Sequence, residues 1–513
     1  PTDLTGFAGT DKITIESGSN SNVSLSGSGS LGWNAPVEVV SVSGTSNHSI
    51  TINKNALTLS GTGSLTIKTG EATKGLELAA SGDKAISVDI GSVDVQSGLL
   101  HLKNGGSTSG NATLSANTIT IGDGKNATTN AVIKLGDSSK GSGSATLGSG
   151  ADVITLQKGG KIEFAGSGSD TSLAVLAGNL QATGGELDFT SGSGKITAYG
   201  TASDVNISVG TEKKALIELT DTPDTPANEG TLNIKSGLIK LAGHGTSGSG
   251  STLQVEKGSV VLGDSVILTA TDNTSGAGTL LVGSGASAEL TLSKTTLDNY
   301  LKGTATAPSG TNFTAASGSL NIGASGTVVV NGDIKLSDYT FSGSAGAGLI
   351  SGASGAKFGA DNLTVDANVA NATGLTAIAK NNLTLGTNSA NTVKAGIALE
   401  SKNLTLVSNA NNFVLQDNVT LKSITKTTQE DKTVNVAAEG KINGNAINVS
   451  GGSITVGAGN YTFGEDITLT SGALTVSANE NADSQGANKV ASSLKLTNGN
   501  IAIERASGNG ITV

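Results

Sequence analysis

The sequence predicts an all-β chain, an elongated parallel β-solenoid of about 20–21 residues per rung with three short strands per rung, and three observations carry that prediction. The first is a repeat of asparagines. Segments beginning Asn-Leu-Thr at 362–365, 382–385 and 403–406 continue alike, with Asn362, Asn368 and Asn371 echoed at Asn382, Asn388 and Asn391 and again at Asn403, Asn409 and Asn412. The second is a run of apolar-x-apolar triplets, Ile447–Val449, Ile454–Val456, Tyr461–Phe463, Ile467–Leu469 and Leu474–Val476. Three of them span the same period as the asparagine repeat, and each alternates as a short strand with one buried face. The third is the filling between triplets, which is Gly, Ser, Asn and Asp, the residues that corners require. Stacked copies of one unit would bring the nine asparagines into columns at a corner, their amides bonding along the stack as in cross-β ladders, or each tolerating left-handed turn geometry.

Composition agrees with a folded chain of many corners. Of 513 residues 74 are Gly, 14% are charged and 36% are apolar. Disorder usually comes with high net charge and no hydrophobic period, whereas here the period runs almost end to end. The whole of 1–513 reads as one continuous solenoid, since a stack grows in one dimension. With roughly 25 rungs at ~4.8 Å each, it would form a rod on the order of 120 Å. The absence of Cys excludes disulfides and thiolate metal sites. No run reaches the ~18 apolar residues of a spanning helix. The net charge of −10, with Arg505 the one arginine and aromatics at 3%, argues against nucleic acid as a partner. A start at Pro1 without any Met and an end at Gly510-Ile511-Thr512-Val513 that resembles an interrupted rung lead us to expect a processed product or a fragment.

In chain order, Ile13–Ile15 and Val23–Leu25 open the pattern, and Trp33 followed by Pro36 reads as a packed aromatic near one end. Strands then come quickly at Ile50–Ile52, Leu57–Leu59, Leu65–Ile67, Leu76–Leu78, Ile86–Val88 and Leu100–Leu102, and persist through Ile119–Ile121, Ile133–Leu135, Ile154–Leu156, Ile162–Phe164 and Leu187–Phe189. Their intervals are less even than after 360, so rungs here carry insertions. Three stretches are expected to protrude. Near 219–230, Pro223 and Pro226 remove backbone donors. Near 293–313, Leu297, Tyr300 and Leu301 have helical spacing, so a helix of one or two turns leads into a loop to Pro308. Near 425–434, the charged run Thr427–Lys432 reads as a hairpin tip. Insertions on solenoids are where binding specificity often sits.

No catalytic, cofactor-binding or metal-binding residues are assigned. Gly263-Asp264-Ser265 and Gly136-Asp137-Ser138 lack the following Gly of a serine-protease site, and the outward strand position accounts for His101. The frequent G-x-S-x-G strings are what a Gly/Ser-rich chain generates by chance. Gly148–Ile154 fits part of a calcium-binding nonapeptide but stands without tandem copies, so it is read as accidental and no cofactor is expected. A carbohydrate-cleaving solenoid would need clustered carboxylates, or a carboxylate with Lys or Arg. An ice-binding solenoid is disfavoured because no regular Thr-x-Thr column appears.

The segment Gly459-Asn460-Tyr461-Thr462-Phe463-Gly464, followed by Ile467 to Leu469 and Gly472-Ala473-Leu474-Thr475-Val476, resembles the passenger-associated repeat of bacterial autotransporters. Phe463 before the Gly and the single copy depart from that pattern. Elsewhere the likeness is one of style, to autotransporter and filamentous-haemagglutinin passengers. The resemblance implies a right-handed β-helix displayed on a Gram-negative surface, without the family's C-terminal membrane barrel in these residues. The expected function is therefore a non-enzymatic, extracellular adhesin of the bacterial cell surface. Its partners would be itself, through lateral or end-to-end association, or a host or cell-surface glycan or protein. The alternatives are a surface-layer, sheath or filament subunit, and a β-helix carbohydrate-active enzyme.

Overall fold

In this computed structural model, backbone and side chains are described over most of residues 32–384; elsewhere, and over short stretches within that span, at most the backbone of strands is described. The chain divides into two compact units. One holds residues 1–281, 287–290 and 298–319, the other 282–286, 291–297 and 320–513. Both are almost entirely β, and strand pairing is predominantly parallel.

In the first unit the strand Ile86–Lys103 shows how sequence sets the architecture. Its three parts, 86–90, 92–95 and 98–102, pair in parallel with 112–116, 118–121 and 131–135. On its other side the same three parts receive 57–60, 64–67 and 75–79. Each passage of chain thus adds a strand to each of three columns. What holds the register is the apolar alternation, because a slip of one residue would turn every inward side chain outward. Val88, Leu114, Leu147, Val175, Ile196, Ile217 and Val255 follow one another in register, and all are buried. Burying each such side chain contributes roughly 1.5–3 kcal/mol. In a neighbouring column the rings of Phe164 and Phe189 stack with centroids 4.0 Å apart.

The spacing of 20–21 residues is not uniform. It holds from Val175 to Ile196 to Ile217, but Leu114 pairs with Leu147 and Ile119 with Ile154, 33 and 35 residues on. The corners take up the difference. Strand positions are locked by burial, whereas a corner can lengthen outward at little cost. At one such corner Gly148 has φ +84, and a Cβ there would collide with the carbonyl oxygen of Leu176 in the next passage. Only glycine fits.

The second unit carries the regular repeat. Leu363 pairs with Leu383 and Leu383 with Leu404, and Ile447 with Ile467 and Ile454 with Leu474. Tyr339 and Phe341 pack edge-on against Phe358 at 6.2 and 6.0 Å.

Of the three expected protrusions, residues 220–229 lie outside the described residues. Residues 424–429 and 432–437 form an antiparallel hairpin, with Gln429 facing Lys432. The helix is present at Lys294–Lys302. The Ser293 hydroxyl accepts from the Thr296 amide at 3.1 Å, a side-chain N-terminal cap. Leu297, Tyr300 and Leu301 are buried at their helical spacing. The Tyr300 hydroxyl donates to the Gly278 carbonyl at 2.8 Å, and burial pushes its pKa up. Trp33 is 1% exposed and its Nε1 donates to the Ser64 carbonyl at 3.4 Å.

Candidate functional site

The middle residues of successive apolar-x-apolar strands in the first unit stack into one outward column. In register it reads Glu77, His101, Lys134, Glu163, Asp188, Ser208, Lys240 and Thr269. The parallel ladder places these side chains one strand spacing apart, ~4.8 Å, so charge chemistry along the column is dictated by sequence order.

From Glu77 to Asp188 every charge is answered. His101, 7% exposed, places Nε2 2.7 Å from the Gly136 carbonyl. A carbonyl can only accept, so that nitrogen carries the proton, and Nδ1 faces Glu77 at 3.6 Å. The His101 ring holds the Glu77 carboxyl below its ordinary range against the opposing effect of burial, with Lys103 and Asn47 adding to it. Lys134 pairs with Glu163 at 3.0 Å. Glu163 and Asp188 are like charges on adjacent strands, and Lys161 reconciles them by reaching both, at 3.2 and 3.1 Å. Burial opposes ionisation of Asp188, but bonds from the Thr190 hydroxyl and amide, at 2.6 and 2.9 Å, and from Lys161 outweigh it and lower its pKa. Burial likewise opposes the charge on Lys161, and its two carboxylate partners overcome that and raise its pKa. Asp137 beside the column is lowered against burial by Ser139 and Lys103. A cleft of about 500 Å³ runs over Glu77, His101, Lys134, Lys161 and Glu163, but its walls are already paired with one another.

Further along, the column opens into a second cleft of about 680 Å³, bordered by Lys240, by Val209, Ala242 and Thr271 at strand ends, by Thr190 and Gly210 just beyond them, and by Asn312, Phe313, Thr314 and Ala316 of the segment that follows the helix. The loop is tied down where Ala315 and Ala316 pair antiparallel with Thr271 and Ala270. This brings Phe313, half-buried, and the exposed Asn312 and Thr314 to the rim. Among the described residues Lys240 makes no ion pair. Its register neighbours Ser208 and Thr269 are uncharged and buried.

The asparagines are placed as follows. Asn362, Asn382 and Asn403 occupy matching register positions. The Asn362 amide donates to Asp333 at 2.8 Å and that of Asn382 to Thr384 at 3.1 Å. Asn368, Asn371, Asn388, Asn391, Asn409 and Asn412 lie outside the described residues, as does the Asn403 side chain. In the first unit, asparagines use their side chains to tie corners to backbone. Asn104 donates to the Gly143 carbonyl at 2.9 Å and accepts from the Asp137 amide at 2.8 Å, and Asn111 accepts from the Ser144 amide at 3.1 Å.

The calcium-like stretch at 148–154 forms a corner in which Asp152 is a clamp. Its carboxylate accepts from the Ser149 hydroxyl at 2.6 Å and from the Ser149 and Ala116 amides at 2.8 and 3.1 Å. Among the described residues no three His, Asp or Glu side chains converge as metal ligands, and no helix is long and apolar enough to cross a membrane.

Sequence reading set His101 aside and missed the column around it. The signal was present: the triplets Leu76–Leu78, Leu100–Leu102, Ile133–Leu135, Ile162–Phe164 and Leu187–Phe189 enclose Glu, His, Lys, Glu and Asp. No known family model matches the sequence, and no curated protein or solved structure is similar to it.

Proposed function

We propose that the chain is a right-handed β-solenoid of a bacterial cell surface, a non-enzymatic adhesin that mediates attachment or cell–cell association. The observation that carries this reading is the in-register, parallel addition of strands to three columns, with corners free to lengthen. Such an architecture presents loops and a lateral face without disturbing the core. Two further features support it. Among the described residues the carboxyl groups whose pKa is displaced are all displaced downward, by hydrogen bonds and neighbouring cations, whereas a general acid of glycoside hydrolysis needs a raised one. The two clefts sit on a flank built from outward strand positions and an inserted loop, the placement expected of a recognition surface.

Two measurements on the purified chain test the proposal. Electron cryomicroscopy should show extended rods, and a compact globule would overturn the solenoid. Beads coated with the chain should adhere to cells or to one another above uncoated controls. Ordered sheets or fibres without adhesion would make assembly the function instead.

A further inference from the structure

We propose that the cleft at Lys240 is a binding subsite for a carboxylate-bearing pyranose, a uronic or sialic acid residue of an acidic glycan. The inference rests on the surface-recognition reading above and assigns it a ligand class and a place.

Four features of the cleft converge on this chemistry. Its volume, about 680 Å³, falls in the ~300–1,000 Å³ range of ligand pockets. Phe313 at the rim is half-buried, so it is held in place while part of its ring stays accessible. An aromatic face supplies an apolar surface against which the C–H face of a sugar ring packs. Apart from Lys240, the remaining lining is short and uncharged, with Val209, Gly210, Ala242 and Ala316 interleaved with neutral polar side chains. Asn312, Thr314, Thr190 and Thr271 offer amide and hydroxyl groups that both donate and accept, as a ring of alcohols requires. Thr190 already donates its hydroxyl proton to Asp188 and is left to accept.

The fourth feature is charge. Among the described residues Lys240 is the one charged residue on the cleft wall. Every other charge from Glu77 to Asp188 in its column has a partner, whereas among the described residues Lys240 has none. A half-buried lysine lining a cleft whose other described lining residues are uncharged is complementary to a single negative charge. An ammonium is a compact point charge that suits a lone carboxylate. The Glu77 cleft offers no such opening, because its carboxylates are occupied by its own cations.

The test uses the full chain and soluble oligosaccharides, read by titration calorimetry. Probes are tetrasaccharides containing glucuronate, galacturonate or sialate, each beside the same chain with its carboxyl reduced to the alcohol. At least one acidic probe should bind, and its reduced counterpart should bind about tenfold or more weakly, the size of one lost charge-assisted bond. Lys240→Gln should reproduce that loss without altering the weak binding of the reduced probe. Phe313→Ala should weaken both. Lys335→Gln, an exposed change in the second unit, should alter neither. Circular dichroism of each variant separates misfolding from lost contacts, and Lys240→Gln, which cuts no core, keeps the test open if Phe313→Ala fails to fold. No binding of any acidic probe, or binding indifferent to both Lys240→Gln and carboxyl reduction, overturns the inference. Bead adhesion is scored separately: adhesion that survives in the absence of acidic-sugar binding sinks the subsite alone, and sugar binding without adhesion sinks the adhesin reading alone.

Discussion

One column of outward side chains runs along the first unit, and its two ends behave differently. Between Glu77 and Asp188 the ionisable side chains face one another, with Lys–carboxylate contacts of 3.0–3.2 Å and His101 set 3.6 Å from Glu77. At Lys240 the same register position carries a charge between neutral Ser208 and Thr269. Local architecture is alike in both places, with a strand whose flanking residues are buried. The difference therefore lies in what each charge is for. Paired charges over a buried apolar column hold adjacent strands in register, since a shifted strand would set like charges opposite one another. Lys240, with no ion-pair partner among the described residues, contributes no such charge pairing to register, and under the proposal above it is left to meet a ligand.

The largest expected effect comes from cutting the support beneath the paired end. Phe164 is fully buried and stacks on Phe189 directly inside Glu163 and Asp188. Phe164→Ala should cost about 3–5 kcal/mol by cavity formation, seen as a lowered urea midpoint. A loss below about 1 kcal/mol would mean that the stack does not organise the column.

Next in size is Lys161→Ala, about 2 kcal/mol, because it leaves Glu163 and Asp188, both largely covered, as neighbouring like charges. Asp188→Asn in the same background should restore part of the loss by removing one of the repelling charges. Two losses that simply add would show that Lys161 does not act on Asp188.

A smaller effect follows from pH. Glu77, Asp137 and Asp188 have folded-state pKa values below their ordinary values of 4.5, 3.8 and 3.8. Each contributes stability that is complete above the unfolded value and is lost as pH falls through the lowered folded one. Lys161, raised above 10.5, contributes stability that is complete below that value and is lost as pH rises through the folded one. The melting temperature should thus be flat between about pH 5 and 9 and fall on both sides. Lys161→Ala should flatten part of the alkaline limb. An acid limb that begins near neutrality would contradict the lowered carboxylates.

Much of this was legible in the sequence because burial writes itself as period. The triplets at 447–476 and the Asn-Leu-Thr repeats announced their own spacing, and Leu297, Tyr300 and Leu301 announced a helix that the structure buries on that face. The length of corners was not legible. Nothing local says whether Leu114 should meet a strand 20 or 33 residues on, since that is decided by which buried side chains align across passages. The charged column was hidden for the same reason. Glu77 and His101 become neighbours only once the register is known. The cleft needed one further step: residues 293–313 read as a protruding loop, but its return to pair with Ala270 and Thr271 depends on a strand end far earlier in the chain.

The smallest expected effect is the one that separates the two ends of the column most cleanly. Lys240→Gln removes a charge from a position equivalent in strand geometry to Lys134, yet no partner among the described residues is orphaned. Its effect on the urea midpoint should stay within about 0.5 kcal/mol, as for a surface change away from any network. Lys134→Gln, which leaves Glu163 with Lys161 as its remaining cation, should cost more, on the order of 1 kcal/mol. Equal losses from the two lysines would mean that Lys240 belongs to the stabilising ladder after all, and the distinction between a paired, structural end and an open, binding end would collapse. A neutral Lys240→Gln that also loses acidic-sugar binding would place the function of that residue outside the fold it sits in.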